Sequence, residues 1–357
     1  MKNADHSQIA GFAAEVITQN ISSLQKAIQG FHKRNNIEDI HDLRVASRRI
    51  RVALEIFRQF LPSKKNKVWE RSICKLTKSF GNARDLDVQL NFVRSFFQKN
   101  DDPVYRSGGR RLLLRLNQRR ENLQQRLQQT LKELDKDHIL QKMAEALQSP
   151  SVESNLPSVY ELSLYQLSFN TINKRLDEFL FFEIYLPYPD HVKELHLMRI
   201  AAKRLRYTLE IFTPLYKDQL EKSLDTIRQI QTNLGEIRDC DVWLDYLPLF
   251  LEKERNRVLK YFGNPRPFHR LAPGVQILRE NRLSERTSLY NTFILNWKKW
   301  HQTEIWSNLR QTIFNPVLGN SQPNLQSIPV QPTQEQIKNQ PSLGINKKDP
   351  ADPHGLQ

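Results

Sequence analysis

Apolar residues recur along most of this chain at intervals of three and four, the spacing of one face of an α-helix. Residues 7–30 carry the pattern at six positions: Ile9, Phe12, Val16, Ile21, Leu24 and Ile28. Strand-like alternation is almost absent and glycine is scarce, whereas the helix-favouring residues Leu, Gln, Arg and Lys are abundant. The pattern therefore predicts an all-α protein.

Turn and capping residues divide this pattern into helices. Asp101-Asp102-Pro103 is a strong start signal, because aspartates precede a first-turn proline. In the first half we predict helices over 7–30 and 40–61, a third ending at Gly81, a fourth from Arg84 to about Asn100, and a fifth from 103 to 148. In the second half we predict helices over 160–181, 192–213, 215–234, 238–260 and 285–314. A 255–284 insertion, expected to be irregular around 262–274, separates the last two.

The second half of the chain repeats the first. Residues 41–57 (HDLRVASRRIRVALEIF) match residues 196–212 (HLMRIAAKRLRYTLEIF) at nine of 17 positions. A second pair, FGNARDLDV at 80–88 and LGEIRDCDV at 234–242, follows at nearly the same separation. Two matches in the same order indicate a duplicated structural unit. We therefore predict one domain over 1–315, with repeat one at 5–148, a linker at 149–157 and repeat two at 158–315.

The remaining residues, 316–357, have the composition of a disordered tail. They hold seven of the 18 prolines and no aromatic residue, so they cannot bury enough apolar surface to offset the entropy of ordering. Their three lysines balance three acidic residues, so the net charge of +15 belongs to the folded part. A cationic fold indicates a polyanionic partner: nucleic acid, acidic membrane or an inorganic phosphate polymer.

Several classes of protein are disfavoured by the sequence. Cys74 and Cys240 provide neither a disulfide framework nor a metal-binding spacing. The first residues have no apolar run of the signal-peptide type, and no stretch approaches the length of a membrane span. We expect a cytoplasmic protein without membrane insertion and without a cofactor.

The repeated motif separates into two faces on a helical wheel. One face is an apolar stripe typical of a core: Leu43, Ala46, Ile50, Ala53, Leu54 and Phe57 in the first copy, and Met198, Ala201, Leu205, Leu209 and Phe212 in the second. The opposite face is a cationic stripe: His41, Arg44, Arg48 and Arg51 in the first copy, and His196, Arg199, Lys203 and Arg206 in the second.

A charged face opposite a core stripe is usually only a solvated surface. Here the face has one sign, uses Arg more than Lys and occurs twice, although like charges at this spacing destabilise a helix. The planar guanidinium matches pairs of phosphate oxygens, so we interpret the stripes as a phosphate-binding site. Aromatic residues are not interleaved with these stripes, so the sequence does not indicate base stacking.

Weaker candidates follow each motif. Arg71, Lys75 and Lys78 share a helix face, and Arg228 lies on the corresponding helix of the second copy; a solvated face is an equally good interpretation of these four. The Arg84–Asp87 and Arg238–Asp241 segments are predicted to start helices, where aspartates cap or pair with arginine. Metal binding by these aspartates is a less favoured alternative.

These motifs, HDLRVASRRIR with FGNARDLDV and HLMRIAAKRLR with LGEIRDCDV, resemble the two halves of the CHAD family, the conserved histidine α-helical domain. The resemblance covers about residues 5–315. It implies an all-α fold of two pseudo-symmetric four-helix repeats enclosing a basic central cavity or pore, and an association with inorganic polyphosphate. The polyphosphate-binding positions it implies are the eight residues of the cationic stripes. The triphosphate-tunnel (CYTH) domain that accompanies many members has no counterpart motif here.

The leading hypothesis is a non-catalytic module that binds inorganic polyphosphate, for storage, regulation or targeting to polyphosphate granules. A helical nucleic-acid-binding protein is the alternative, supported by net charge alone. A phosphohydrolase is less favoured: His41-Asp42 resembles a metal-binding pair, but Leu197 replaces the aspartate in the second copy. No phosphate-binding loop or nucleophile elbow occurs. Arg119 and Arg120, on the long basic helix, are expected on the exterior.

Overall fold

The computed structural model describes residues 2–34, 37–147 and 162–318. No β-strand occurs in these three segments, which confirms the all-α prediction. The helices are α1 (Lys2–Arg34), α2 (Ile37–Ile56), α3 (Ser63–Lys99), α4 (Pro103–Lys136), α5 (Ile139–Leu147), α6 (Leu162–Leu180), α7 (Val192–Tyr216), α8 (Glu221–Phe262), α9 (Ala272–Gln302) and α10 (Ile305–Leu318). Short 3-10 helices lie at Arg58–Phe60, Phe181–Tyr185, Lys217–Leu220 and Arg266–Arg270.

The helices of the two halves follow the same order. In each half, four long helices pack in sequence, α1 to α4 and α6 to α9, and a short helix, α5 or α10, follows. The short helices begin after His138 and Glu304, whose backbones are left-handed with φ of 50°. Since few non-glycine residues adopt this conformation, it marks a true break in each fourth helix. The exact twofold relation and an enclosed pore remain predictions.

The helix breaks that we expected after Gly81 and Leu234 do not exist. The long helices α3 and α8 run through both positions, so the two Arg-Asp segments lie inside helices and their aspartates are not caps. Phe80, Ala83 and Leu86 are all buried, so one apolar stripe continues past the glycine. An internal glycine costs a helix about 1 kcal/mol, and this packing offsets that cost.

The insertion after residue 255 is also more helical than predicted. Helix α8 continues to Phe262 and ends at Gly263, which has a left-handed φ of 70°. Helix α9 begins at Ala272, with a proline in its first turn, where no backbone N–H is needed. The irregular part is therefore restricted to about 263–271, and Arg266–Arg270 forms a 3-10 turn within it.

The predicted linker and most of the predicted tail lie outside the described residues. Only the first three tail residues, 316–318, are described, and they continue α10 instead of leaving the fold. Within Met1–Asn320 the described residues form one compact unit, and residues 321–357 lie outside the described segments.

The two halves contribute buried residues to the same hydrophobic clusters. Phe57 and Phe212, the last residues of the two motifs, are fully buried, and their ring centroids lie 6.1 Å apart. Phe12 of α1 stacks on Phe212 at 6.2 Å with nearly parallel rings. Aromatic contacts of this kind add about 0.5–1.5 kcal/mol beyond area burial. The apolar stripes thus hold the motif helices α2 and α7 beside each other.

A second contact between the halves depends on glycine. A Cβ at Gly108 of α4 would lie 2.3 Å from the Leu271 carbonyl oxygen, and one at Gly274 of α9 would lie 2.3 Å from that of Tyr105. Such distances are impossible for a real side chain, so α4 and α9 cross with their backbones in contact. Nearby, the fully buried Glu254 of α8 accepts hydrogen bonds from Arg111 and Arg115 of α4.

Candidate phosphate-binding site

Helices α2 and α7 bring the two cationic stripes together. Arg48 of α2 donates a 3.4 Å hydrogen bond to the Tyr207 hydroxyl of α7, and Arg49 of α2 donates a 3.3 Å bond to Glu210 of α7. The stripes therefore meet at the interface between the halves, and neither lies on an isolated solvated face.

The centre of this interface is a group of six charged residues that we call the charge cluster: Arg44, Arg48, Asp85, Arg199, Lys203 and Asp239. Arg44 and Asp85 lie 3.4 Å apart, from Nη2 to Oδ1. Arg199 interacts electrostatically with Asp239 of its own half and with Arg44 and Asp85 of the other. Each half contributes one aspartate, from the middle of α3 or α8, so four cations face only two carboxylates.

Burial and mutual repulsion make these cations costly to keep charged. The pKa of Lys203 is lowered to about 6, first by burial and then by repulsion from Arg199, Arg48 and Arg44, which Asp85 only partly opposes. Burial likewise lowers the pKa of Arg44 and of Arg199, although Asp85 and Asp239 respectively oppose the shift. Excess buried positive charge is the electrostatic signature of a site prepared for an anion.

Three nitrogen atoms at this site are buried without a hydrogen-bond partner among the described residues: Arg44 Nε, Arg199 Nε and His196 Nδ1. A buried polar atom without a partner costs about 1–3 kcal/mol. The pKa of His196 is lowered to about 4, first by burial and then by repulsion from Arg238 and Arg199. Unsatisfied nitrogens beside unbalanced cations indicate that a ligand with several acceptor oxygens completes the site.

The internal glycines of α3 and α8 lie against these arginines. A Cβ at Gly81 would be 3.8 Å from Arg44 Nε, and one at Gly235 would be 3.6 Å from Arg199 Nε. The helix backbone therefore comes close to each guanidinium. The second sequence echo supplies this glycine together with the aspartate that faces the stripe, which explains why both echoes recur at the same separation.

Tyr207 was not recognised from the sequence as part of the site. Its ring lies between two cations, with the guanidinium carbon of Arg206 4.7 Å and that of Arg48 5.8 Å from the ring centroid. The statement that no aromatic residue is interleaved with the stripes is therefore wrong for the second copy. Because Tyr207 is only 4% exposed, it holds arginines in place and is not a surface for base stacking.

The remaining stripe residues lie at the edges of the charge cluster. His41 and Arg51, at the two ends of the α2 stripe, are exposed. Arg206 is partly buried and lies 3.3 Å from Glu210, which also accepts the bond from Arg49. The core of the candidate site is thus Arg44, Arg48, His196, Arg199 and Lys203.

The weaker candidates occupy ordinary surface positions. Arg71, Lys75 and Lys78 are exposed on α3, and Lys75 forms an ion pair with Glu133 of α4. Arg228 is exposed and pairs with Asp225 of its own helix at 2.8 Å. Their role in binding remains a prediction.

The second aspartate of each echo is structural. Asp87 accepts a 2.7 Å bond from Arg120 of α4, and Asp241 accepts one from Arg286 of α9. Pairing with arginine, one of the two roles predicted for these segments, is therefore correct for them. The same contact shows that Arg120 is not an exterior residue, and Arg119 lies over the Tyr246 ring.

Comparison with known proteins agrees with this architecture. The family model described as CHAD domain matches residues 15–248, and the chain belongs to the CHAD family. The crystal structure of the CHAD domain from the plant Ricinus communis is similar with a TM-score of 0.59 and 19% identity, over 81% of this chain and 91% of that one.

PptA from Streptomyces chartreusis is similar with a TM-score of 0.52 and 14% identity, over 82% of this chain and 99% of that one. No curated protein matches the sequence. At these identities the structural comparisons establish the fold, and the site rests on the geometry given above.

The described residues offer neither a membrane span nor a metal-binding group. None of the helices in 2–34, 37–147 and 162–318 has the length and apolar character needed to cross a bilayer. Within the same residues, His, Cys, Asp and Glu do not gather in groups of three that could hold a metal ion.

Proposed function

We propose that the charge cluster, together with the flanking stripe residues, binds inorganic polyphosphate without catalysis. One observation carries the proposal: four Arg and Lys side chains from both halves share a largely buried site that only two aspartates balance. The association of the CHAD family with polyphosphate agrees with this chemistry.

The geometry favours a phosphate chain over a single small anion. The stripes continue from the cluster to the exposed His41 and Arg51, so cations are available along the helix as well as at its centre. Each arginine can pair its fork with two oxygens, and every phosphate unit of the polymer presents such oxygens. A basic pore through the domain, if the polymer threads it, would extend this arrangement.

Nucleic acid is the alternative ligand, because it is also a phosphate polymer. Duplex DNA needs an outward-facing cationic surface, whereas these cations lie between α2 and α7 and are largely buried. Tyr207, which follows the last residue of the α7 stripe, is buried, and its ring contacts Arg48 and Arg206. We therefore propose that nucleic acid binds weakly and without base recognition.

The direct test is competition at equal phosphate concentration. Labelled polyphosphate bound to the protein should be displaced by unlabelled polyphosphate at least tenfold more effectively than by duplex DNA or RNA. Equal displacement would contradict the proposal and favour a general polyanion or nucleic-acid-binding protein.

The absence of turnover needs its own test. Radiolabelled polyphosphate should stay intact when incubated with the protein and magnesium or manganese. Release of phosphate that depends on Asp85 or Asp239, the carboxylates of the cluster, would show a phosphohydrolase instead. We propose a cytoplasmic location, at polyphosphate granules where these exist.

A further inference from the structure

A second cationic surface, separate from the charge cluster, lies where α8 meets α9. Between Glu254 and Glu280 the sequence contains six Arg and Lys residues and no Asp or Glu. This segment lies beyond the 15–248 match to the CHAD family, so the family site does not account for it. We call residues 255–270 the basic tip.

Large apolar side chains are exposed at the same place. Tyr261 is 83% exposed, Phe262 is 55% exposed and Leu259 is 48% exposed. Soluble proteins scatter such residues singly, and adjacent ones surrounded by polar groups mark interaction sites. Exposed cations lie on both sides of them: Arg255 and Lys260 on α8, and Arg266 and Arg270 in the 3-10 turn.

The backbone holds this arrangement in a defined turn. Gly263 ends α8 in the left-handed conformation, and its N–H donates to the Leu259 carbonyl. The side chain of Asn264 then donates to the Phe262 carbonyl at 3.2 Å and accepts from the Arg266 N–H at 3.1 Å. The exposed apolar residues and cations at the end of α8 therefore keep fixed positions relative to the cations of the 3-10 turn.

Only part of the charge at the basic tip is balanced by neighbouring acids. Arg257 pairs with the buried Glu254, whereas the ion pairs among the described residues do not include Arg255, Lys260, Arg266 or Arg270. The 3-10 turn packs against the start of α4, where Asp101 and Asp102 are the nearest acidic residues in sequence. Asp101 is already paired with Arg106 at 2.8 Å, and Asp102 caps α4 by accepting from the Val104 N–H. The charges of Arg255, Lys260, Arg266 and Arg270 are thus available to an external anion.

We propose that the basic tip docks the protein on the surface of a membrane rich in anionic phospholipid. Aromatic and aliphatic side chains enter the interfacial region while Lys and Arg pair with headgroup phosphates, the usual division of roles at such surfaces. The proposal concerns a different surface from the polyphosphate site and needs no spanning helix.

Two other occupants fit less well. Single-stranded nucleic acid prefers aromatic faces that successive bases can share, but the Tyr261 and Phe262 rings meet edge to face at 78°, and Leu259 offers no ring. A second copy of this chain, in a symmetric dimer, would bring the same cations of both tips together. The following experiment distinguishes both of these occupants from a membrane.

The experiment is co-sedimentation of the full chain with vesicles of phosphatidylcholine, with and without phosphatidylglycerol. The wild-type protein should partition at least tenfold more strongly onto the anionic vesicles. Tyr261→Ser with Phe262→Ser, and separately Arg266→Gln with Arg270→Gln, should each reduce that partitioning about tenfold.

The matched control is Phe181→Ser with Ile184→Ser, which removes apolar side chains that are 60% and 62% exposed at a different place. It should bind vesicles like the wild type. Polyphosphate binding, measured in parallel, should be unchanged in both tip variants, which shows that they are folded and separates this proposal from the proposed function.

Four results would overturn the inference: no preference for anionic vesicles, equal losses in the control, tip variants that bind like the wild type, or a tip that captures single-stranded RNA and ignores vesicles. Dimerisation that the tip substitutions abolish, without vesicle binding, would assign the surface to a second copy instead.

Discussion

Replacing Lys203 with methionine should stabilise the protein while weakening its binding to polyphosphate. Lys203 has a pKa of about 6 in the folded protein, against 10.5 for an ordinary lysine, because it is buried beside three arginines. Between these two values the unfolded chain holds a proton that the folded chain has lost. Stability in the absence of a ligand therefore rises with pH across this window.

The size of the effect follows from the same shift. At pH 7 the unfolded lysine is about 3.5 pH units below its ordinary pKa, and each unit corresponds to about 1.4 kcal/mol. The buried lysine therefore lowers the free energy of unfolding by an amount on the order of 5 kcal/mol. Structural relaxation and water reduce such penalties in real proteins, and apolar replacement of buried charges gains about 1–4 kcal/mol. We expect an increase of that size in the free energy of unfolding for Lys203→Met.

Urea denaturation followed by circular dichroism, at pH 7 and at pH 10, measures this effect. At pH 10 Lys203 lowers the free energy of unfolding of the wild type only slightly, so the variant should be more stable by about 1 kcal/mol or less. Lys193→Met, an exposed substitution on the same helix, should change stability little at either pH. The variant should also lose about tenfold or more in affinity for polyphosphate, as expected when a charge-assisted contact is removed.

The reasoning is refuted if Lys203→Met is less stable than the wild type at pH 7, or if its advantage is the same at both pH values. The first result would mean that the lysine makes a stabilising contact, and the second that its burial does not disfavour its charge.

Three further predictions concern salt, pH and the contact between the halves. If the four Arg and Lys residues of the charge cluster contact phosphate, the plot of log affinity against log salt should have a slope of about −3 or steeper, and a flat plot would argue against the cluster. Affinity should rise as pH falls from 8 towards 6, because a bound polyanion favours the protonated Lys203; Lys203→Met should lose most of that dependence in titration calorimetry. Glu254→Gln should cost about 1–3 kcal/mol in denaturant melts, because the buried side chain loses the carboxylate that accepts from Arg111, Arg115 and Arg257, whereas Glu133→Gln in an exposed pair should cost about 1 kcal/mol or less.

Periodicity and duplication were sufficient to predict the helical fold and the motif helices. The apolar stripes that end at Phe57 and Phe212 are fully buried as expected, because a stripe of that width can be satisfied only by packing. The family and the cationic faces could likewise be identified from residue types at helical spacing.

The continuity of α3 and α8 could not be predicted from local signals. Gly81 and the following Arg-Asp pair look like a break and a new start, and only the tertiary contact with Arg44 shows why a glycine is tolerated there. Propensity is a weak guide wherever packing decides. Asp85 and Asp239 were predicted either to cap helices or to pair with arginine. For the same reason the capping role is wrong, whereas the pairing role is correct, because both are counter-charges of the cluster arginines.

Side-chain contacts between distant helices also could not be predicted from the sequence. Tyr207 aligns with Val52 of the first copy, so the duplication gives no hint of its role between Arg48 and Arg206. Arg120 was expected on the exterior because its helix is basic, but it reaches Asp87 on a neighbouring helix. The partner of a long side chain depends on how the helices pack, and the spacing of residues along one helix does not specify that packing.

The central claim is that a shaped cluster binds polyphosphate, and it is tested most directly by comparing two double variants of equal charge. Arg44→Ala with Arg199→Ala removes one guanidinium from each half of the cluster. Lys298→Ala with Lys299→Ala removes two exposed cations from α9 instead. At about 1.5–3 kcal/mol for each charge-assisted contact, the cluster variant should lose at least tenfold more affinity than the α9 variant, with equal helical content. Equal losses in the two variants would show that bulk charge does the binding and would contradict the account.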